Sequence, residues 1–157
     1  MIHLRRLAPR DAAPMLEWMH DADTVEHMHA RFAAMTEADC LRFIEAAAKD
    51  RPDVHRAVAD EADRYLGTVS LKGVDDAARS AEFAIAMHPC TRGRGQAGEA
   101  MQAILHYGFS EMGLQKIFWC VDVQNRRARR FYEKQGYTPR STEPDENGLL
   151  WYEILAR

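Results

Sequence analysis

Three cysteines are all that the sequence has, and Cys40, Cys90 and Cys120 lie too far apart to form a C-x-x-C pair. An odd, scattered set provides neither a disulfide framework nor a zinc site, so no metal and a reducing, cytoplasmic setting are expected. Long hydrophobic runs are missing too. No stretch has the length of a bilayer span, and the basic start MIHLRRLAPR lacks the apolar core of a signal peptide, so no membrane partner is expected. Nor is there an excess of positive charge: 21 lysines and arginines stand against 24 aspartates and glutamates, a formal net charge of −3. That balance argues against general nucleic-acid binding, which needs a basic domain. Repeats, low-complexity tracts and linker-like shifts are absent, and 157 residues have the length of a single domain, 1–157, able to bury most of its surface without staples.

What is present is a clear succession of periodicities. Residues 2–7 alternate apolar and polar like a half-buried strand, and Pro9 blocks their extension. A helical pattern runs from Asp11 to about His20, followed by a polar stretch. Thr36 with Asp39 three residues on resembles a capping box and opens a second helix to Asp50, with Leu41, Phe43, Ile44 and Ala48 on its apolar stripe. Runs 54–60, 65–72 and 80–88 alternate and are separated by turn-rich segments, so they predict an antiparallel meander. In the third, Phe83, Ile85 and Met87 share one face, and Glu82, Ala84, Ala86 and His88 the other. A helix over 96–113, a strand over 115–123, a helix from Asn125 to Gly136 and β segments at 137–141 and 149–155 complete the order βααβββαβαββ.

Between the third run and its helix lies PCTRGRGQAG, residues 89–98. Two phosphate-binding patterns overlap there. Gly93, Gly95 and Gly98 spell G-x-G-x-x-G, while Arg92 to Ala97 spell R-x-x-G-x-A. Both rest on the same physics: glycines let backbone amides approach phosphate oxygens, and the following helix adds free N–H groups and partial positive charge. A dinucleotide fold places its first glycine directly after a strand inside a βαβ unit, with an acidic residue about 20 positions on. Asp122 would pass as that residue. However, PCTR intervenes after His88, the preceding strands form a meander, and little chain follows, so the oxidoreductase reading is disfavoured.

About thirty residues later, NRRARRFYEKQGY carries Asn125, Ala128, Tyr132, Gly136 and Tyr137. The two segments together resemble the motifs of the GNAT superfamily of N-acetyltransferases: the first its acetyl-CoA pyrophosphate loop, the second its N-x-x-A-x-x-x-Y-x-x-x-G-[FY] pattern. LEWMHD near the start is similar to the family's ribosomal-protein and amino-sugar branches. The resemblance covers essentially the whole chain. It implies an α+β fold with a mixed, mostly antiparallel central sheet of about six to seven strands flanked by about four helices.

The resemblance also implies an activity: acetyl transfer from acetyl-CoA to a primary amine by direct attack in a ternary complex. Arg92, Gly93, Arg94, Gly95, Gln96, Ala97 and Gly98 would hold the pyrophosphate, mostly through backbone amides. Ile85, Ala86 and Met87 would line the pantetheine arm, beside a strand from 115 to 123 that splays away. Asn125 would cap its helix and lie near the pantetheine. Tyr132 would protonate the leaving thiolate, and Glu82 is the candidate base, with His88 or ordered water as alternatives. Arg126, Arg127, Arg129 and Arg130 would steer the phosphates or simply be solvated. The acceptor stays open between a small-molecule amine and a protein N-terminal amine, with Trp18, Met19, His20, His27, His29, Phe32 and the STEPDENG loop at 141–148 as candidate walls. Glu17, Asp21, Asp23 and Glu26 would attract a cationic amine such as a polyamine. Homodimerisation is a further expectation from relatives. A non-catalytic acyl-CoA sensor on the same fold is the rival reading.

Overall fold

The computed structural model describes residues 1–49 and 51–157. Six strands pair in chain order: β1 (His3–Arg5), β2 (Val54–Ala59), β3 (Tyr65–Asp75), β4 (Ser80–Met87), β5 (Lys116–Asp122) and β6 (Leu149–Leu155). Every neighbouring pair is antiparallel except β4–β5, which is parallel. A parallel pair needs a crossover, and α4 (Gln96–Ser110) supplies it. The remaining helices are α1 (Ala12–Met19), the short α2 (Ala22–Val25), α3 (Glu37–Ala47) and α5 (Arg126–Lys134).

Strand alternation divides the sheet into two greasy faces. On one, Val69, Leu71, Phe83, Ile117 and Trp119 meet Met101, Ile104 and Leu105 of α4 and Tyr132 of α5. On the other, Ala57 and Tyr65 meet Met15, Trp18 and Met19 of α1 and Ile44 of α3. Thr36 and Asp39 form the reciprocal cap expected at the start of α3: the Asp39 amide donates to Thr36 Oγ1 (3.2 Å) and the Thr36 amide to Asp39 Oδ2 (2.8 Å). The helix then ends at Ala47, and Asp50, the last residue expected in it, lies outside the described residues. At the N-terminus, the Arg5 guanidinium forks onto the Asp11 carboxylate at 2.8 and 2.9 Å, tying β1 to the start of α1.

Two expectations need correction. Residues 137–141 form no strand, so among the described residues the sheet has six strands, the lower end of the expected six to seven. Pro139 has no N–H for a ladder, and the segment makes one contact of strand type with β6, from the Arg140 amide to the Trp151 carbonyl (2.7 Å). The polar stretch after His20 contains α2, which Asp21 initiates by accepting the Thr24 amide at 3.0 Å. Among the described residues no helix is long and apolar enough to cross a membrane.

Candidate active site

The parallel pairing of β4 and β5 is brief. Ser80, Ala81 and Glu82 pair with Lys116, Ile117 and Phe118, and beyond that rung the strands part while each keeps its other neighbour. Backbone polar groups alternate sides along a strand, and two hydrogen bonds fix which residues face the gap. The Arg79 carbonyl accepts from Gln115 and Lys116 on the β5 side (2.6 and 3.2 Å), and the His88 amide donates to Leu66 on the β3 side (2.7 Å). Odd-numbered residues of β4 therefore turn towards β5, leaving the amides and carbonyls of Ile85 and Met87 on the open edge. Ala86 is turned the other way: it pairs with Thr68, and its methyl packs against the α1–α3 cluster. An open edge of this kind takes an extended, amide-bearing molecule as a surrogate strand.

At the outer end of β4 the chain turns through Pro89–Thr91 into the glycine loop. Gly93 (φ 76°) and Gly95 (φ 74°) occupy the left-handed region, and nothing lies within 4 Å of the position a Cβ would take on either. Gly95 caps α4 without a side-chain hydrogen bond. The consecutive amides of Gly95, Gln96, Ala97 and Gly98 have no acceptor among the described residues. These free donors, an open concavity and the partial positive charge of a 15-residue helix suit a diphosphate, so the loop fits the group its sequence suggests. The amides of Arg92 and Arg94 are already spent within the turn, on Pro89 and Thr91 (both 3.2 Å). The Arg92 side chain reaches α2, where Nη2 donates to Asp21 Oδ2 (3.2 Å) and Thr24 Oγ1 (3.1 Å).

Asn125 starts α5 by accepting the Ala128 amide on Oδ1 (3.1 Å), which sets the phase that turns Tyr132 inward. Tyr132 is 6% exposed, and its ring lies 5.3 Å from both Trp119 and Tyr152. Burial pushes its phenol well above the ordinary tyrosine range, so it stays protonated and can act only as a donor near neutral pH. No described residue hydrogen-bonds the hydroxyl. Arg129 ties Nη1 back to the Val123 carbonyl (3.0 Å), while Arg126, Arg127 and Arg130 are exposed.

Glu82 lies on the opposite face of the sheet from Tyr132, across from Lys72 on β3 and Phe118 on β5. The Tyr132 ring and the Glu82 carboxylate thus lie on opposite faces of the sheet, Tyr132 against Trp119 and Glu82 across from Phe118, where the pairing stops. Burial first, then the charge of the Glu82 carboxylate, pushes the thiol of half-buried Cys120 up, away from the reactive thiolate. His88 serves the turn: Nδ1 accepts the Cys90 amide (3.1 Å), and Nε2 is 3.7 Å from Glu17. His29 Nε2 meets Asp122 Oδ2 (3.2 Å), and His27 lies 3.7 Å from Glu26, so the histidine pair engages carboxylates. Among the acidic residues near the N-terminus, Asp21, Glu17 and Glu26 consequently already have cationic or imidazole neighbours.

Trp119 is the functional candidate that sequence reasoning missed. It is 1% exposed, stacks on Tyr152 (5.4 Å, 3°) and meets Phe83 and Tyr137 edge-on, yet its indole N–H has no acceptor among the described residues. Its inward position on β5 was legible, but nothing in the sequence shows that the indole nitrogen is left without a partner.

Residues 2–138 match the family model of the acetyltransferase (GNAT) domain. Spermidine N(1)-acetyltransferase of Escherichia coli K12 is 35% identical over 72 residues, 46% of this chain and 39% of that protein. The Vibrio cholerae spermidine N(1)-acetyltransferase is 33% identical over 88 residues, 56% of this chain and 51% of that protein. The matched stretches thus span about half or less of these curated relatives. The crystal structure of spermidine N-acetyltransferase from Vibrio cholerae with CoA and spermine superposes with a TM-score of 0.85 at 24% identity, covering 98% of this chain and 95% of that one, and so shares its fold. With a family model spanning most of its length and the same architecture, this chain belongs to the GNAT acetyltransferase family.

Proposed function

We propose that the protein is a single-domain, cytoplasmic N-acetyltransferase that moves the acetyl group of acetyl-CoA to a primary amine of a small molecule. The observation that carries this reading is the parting of β4 and β5 beyond Glu82 and Phe118, with the free amides of Gly95 to Gly98 at its outer end. In the reaction the amine nitrogen bonds to the carbonyl carbon, the carbon–sulfur bond breaks, the amine gives up one proton and the sulfur gains one. Family membership supplies the chemistry, and the residues supply its parts. The loop amides hold the diphosphate, Ile85 and Met87 hydrogen-bond the extended arm, Asn125 flanks it, Tyr132 protonates the sulfur and Glu82 receives the amine proton, directly or through water.

The acceptor we favour is a small polycation of the polyamine class. Supporting this are the spermidine acetyltransferases among the relatives and the carboxylates of Glu82 and Asp122 on the face of the gap opposite Tyr132. Release of CoA thiol from acetyl-CoA, measured with spermidine, an amino sugar and a peptide N-terminus, tests the reading. Turnover is expected with the polyamine, and Tyr132→Phe is expected to lower kcat by about 10²- to 10⁴-fold while acetyl-CoA still binds. Tight acetyl-CoA binding with no turnover of any amine would instead establish the sensor reading.

A further inference from the structure

Phe83 and Trp119 are the first residues on the α4–α5 face beyond the last rung shared by β4 and β5. Their rings meet edge-on at 5.6 Å and 74°, closing the apex of the gap on that side. Trp119 is fixed there by the stacked ring of Tyr152 and by Tyr132 and Tyr137. A phenylalanine or leucine would fill such a hub without carrying a polar atom. The indole N–H is instead buried with no acceptor among the described residues, although the other two tryptophans have theirs: Trp18 donates to Tyr65 Oη and Trp151 to Asp145 Oδ2, both at 2.8 Å. Buried donors are almost always satisfied, and an exception calls for a specific cause such as strain, an ordered water or ion, or a part in the chemistry. The Tyr132 hydroxyl, in the same hub, also has no partner among the described residues.

The partner can be argued from position. Six residues of strand, about 20 Å, separate Phe83 from the start of the glycine loop, a span comparable to an extended pantetheine arm. The arm's own amides would meet Ile85 and Met87 along the way, so only its reacting end reaches the apex. We infer that Trp119 is an acyl-binding residue whose indole Nε1–H donates a hydrogen bond to the carbonyl oxygen of the bound acyl thioester. This rests on the proposed function above. As the amine nitrogen bonds to the carbonyl carbon, that oxygen gains negative charge, and a preorganised donor in a dry site stabilises it more than it stabilises the ground state.

Trp119→Phe keeps the ring packing and removes the donor. Calorimetric binding of acetyl-CoA and of CoA, which lacks the acyl carbonyl, separates the possibilities. The variant is expected to bind acetyl-CoA about three- to tenfold more weakly, to bind CoA as the wild type does, and to keep or raise its Tm. Turnover at saturating acetyl-CoA is expected to fall by about tenfold or more. Equal changes in both affinities, or none, would overturn the assignment while leaving the proposed function intact; a wild type that binds no acetyl-CoA would overturn both. Should the variant fold poorly, the wild-type indole ¹⁵N–¹H resonances give the same answer. The Trp119 signal is expected to shift downfield with acetyl-CoA and not with CoA, and an identical response to the two refutes the hydrogen bond.

Discussion

The Arg92 guanidinium leaves the glycine loop and donates to Asp21 Oδ2 at 3.2 Å, joining that loop to the N-cap residue of α2. The same carboxylate accepts the Thr24 amide, so one side chain serves both an arginine and a helix start. Asp21 lies below the ordinary aspartate range, first because of the Thr24 hydroxyl and then, after a smaller opposing effect of desolvation, because of the Thr24 amide and Arg92.

Asp21→Asn separates the two roles, since asparagine caps as well as aspartate but carries no charge. Arg92 is then released towards an incoming phosphate, and the KM for acetyl-CoA is expected to fall by at most about fivefold, the range of an exposed ion pair. The gain should shrink as salt is added. Asp21→Ala is expected to lower Tm as well, because the cap is lost. A KM that rises in the asparagine variant would show that Arg92 works in its Asp21-bound position.

A second carboxylate makes the fold sensitive to acid. Asp63 receives Arg10, Arg5 and His3, and these partners, Arg10 foremost, hold its carboxyl down to about 2 from 3.8. A depressed carboxylate contributes stability that is complete above its unfolded value and is lost as pH falls through the folded one. The contribution should therefore disappear between about pH 4 and about pH 2. Asp63→Asn tolerates the left-handed backbone there (φ 63°) and should flatten the dependence of the urea midpoint in that window. A carboxyl NMR titration midpoint near 3.8 would show that the three partners leave Asp63 unperturbed.

Close packing at the outer end of β4 makes a third prediction. Gly67 of β3 stands opposite Met87, and a Cβ there would sit 2.6 Å from the Ala86 carbonyl and 2.9 Å from Met87 Cα. Backbone cannot yield as a flexible side chain can. Gly67→Ala is expected to cost about 1–3 kcal/mol in urea unfolding and to raise the acetyl-CoA KM, because the displaced segment carries the open edge at Ile85 and Met87. Loss of stability with KM unchanged would separate that edge from cosubstrate binding.

The parts of the fold governed by local rules were legible in the sequence. The Thr36–Asp39 cap, the Asn125 cap, the meander and the two faces of β4 follow from short-range geometry, and each is present as read. What depends on contacts distant in sequence was not. Parting of β4 and β5 is a matter of register between strands on either side of a crossover, and no residue type signals where pairing stops. The union of Arg92 with Asp21 joins residues 71 positions apart, and nothing in the loop's own sequence signals it. The segment at 137–141 shows the opposite failure: its composition suits a strand, but one proline and a lone backbone contact leave it as a loop.

Three rungs are a thin seam for a six-stranded sheet. On one side stand four strands, on the other two, so the bare chain is expected to loosen along that line before it melts as a whole. Whatever lies in the seam mends it, and heat resistance then becomes a gauge of occupancy, climbing with the logarithm of ligand concentration. On the proposed function, the acyl donor that fills the seam would itself be a stabilising ligand of this fold.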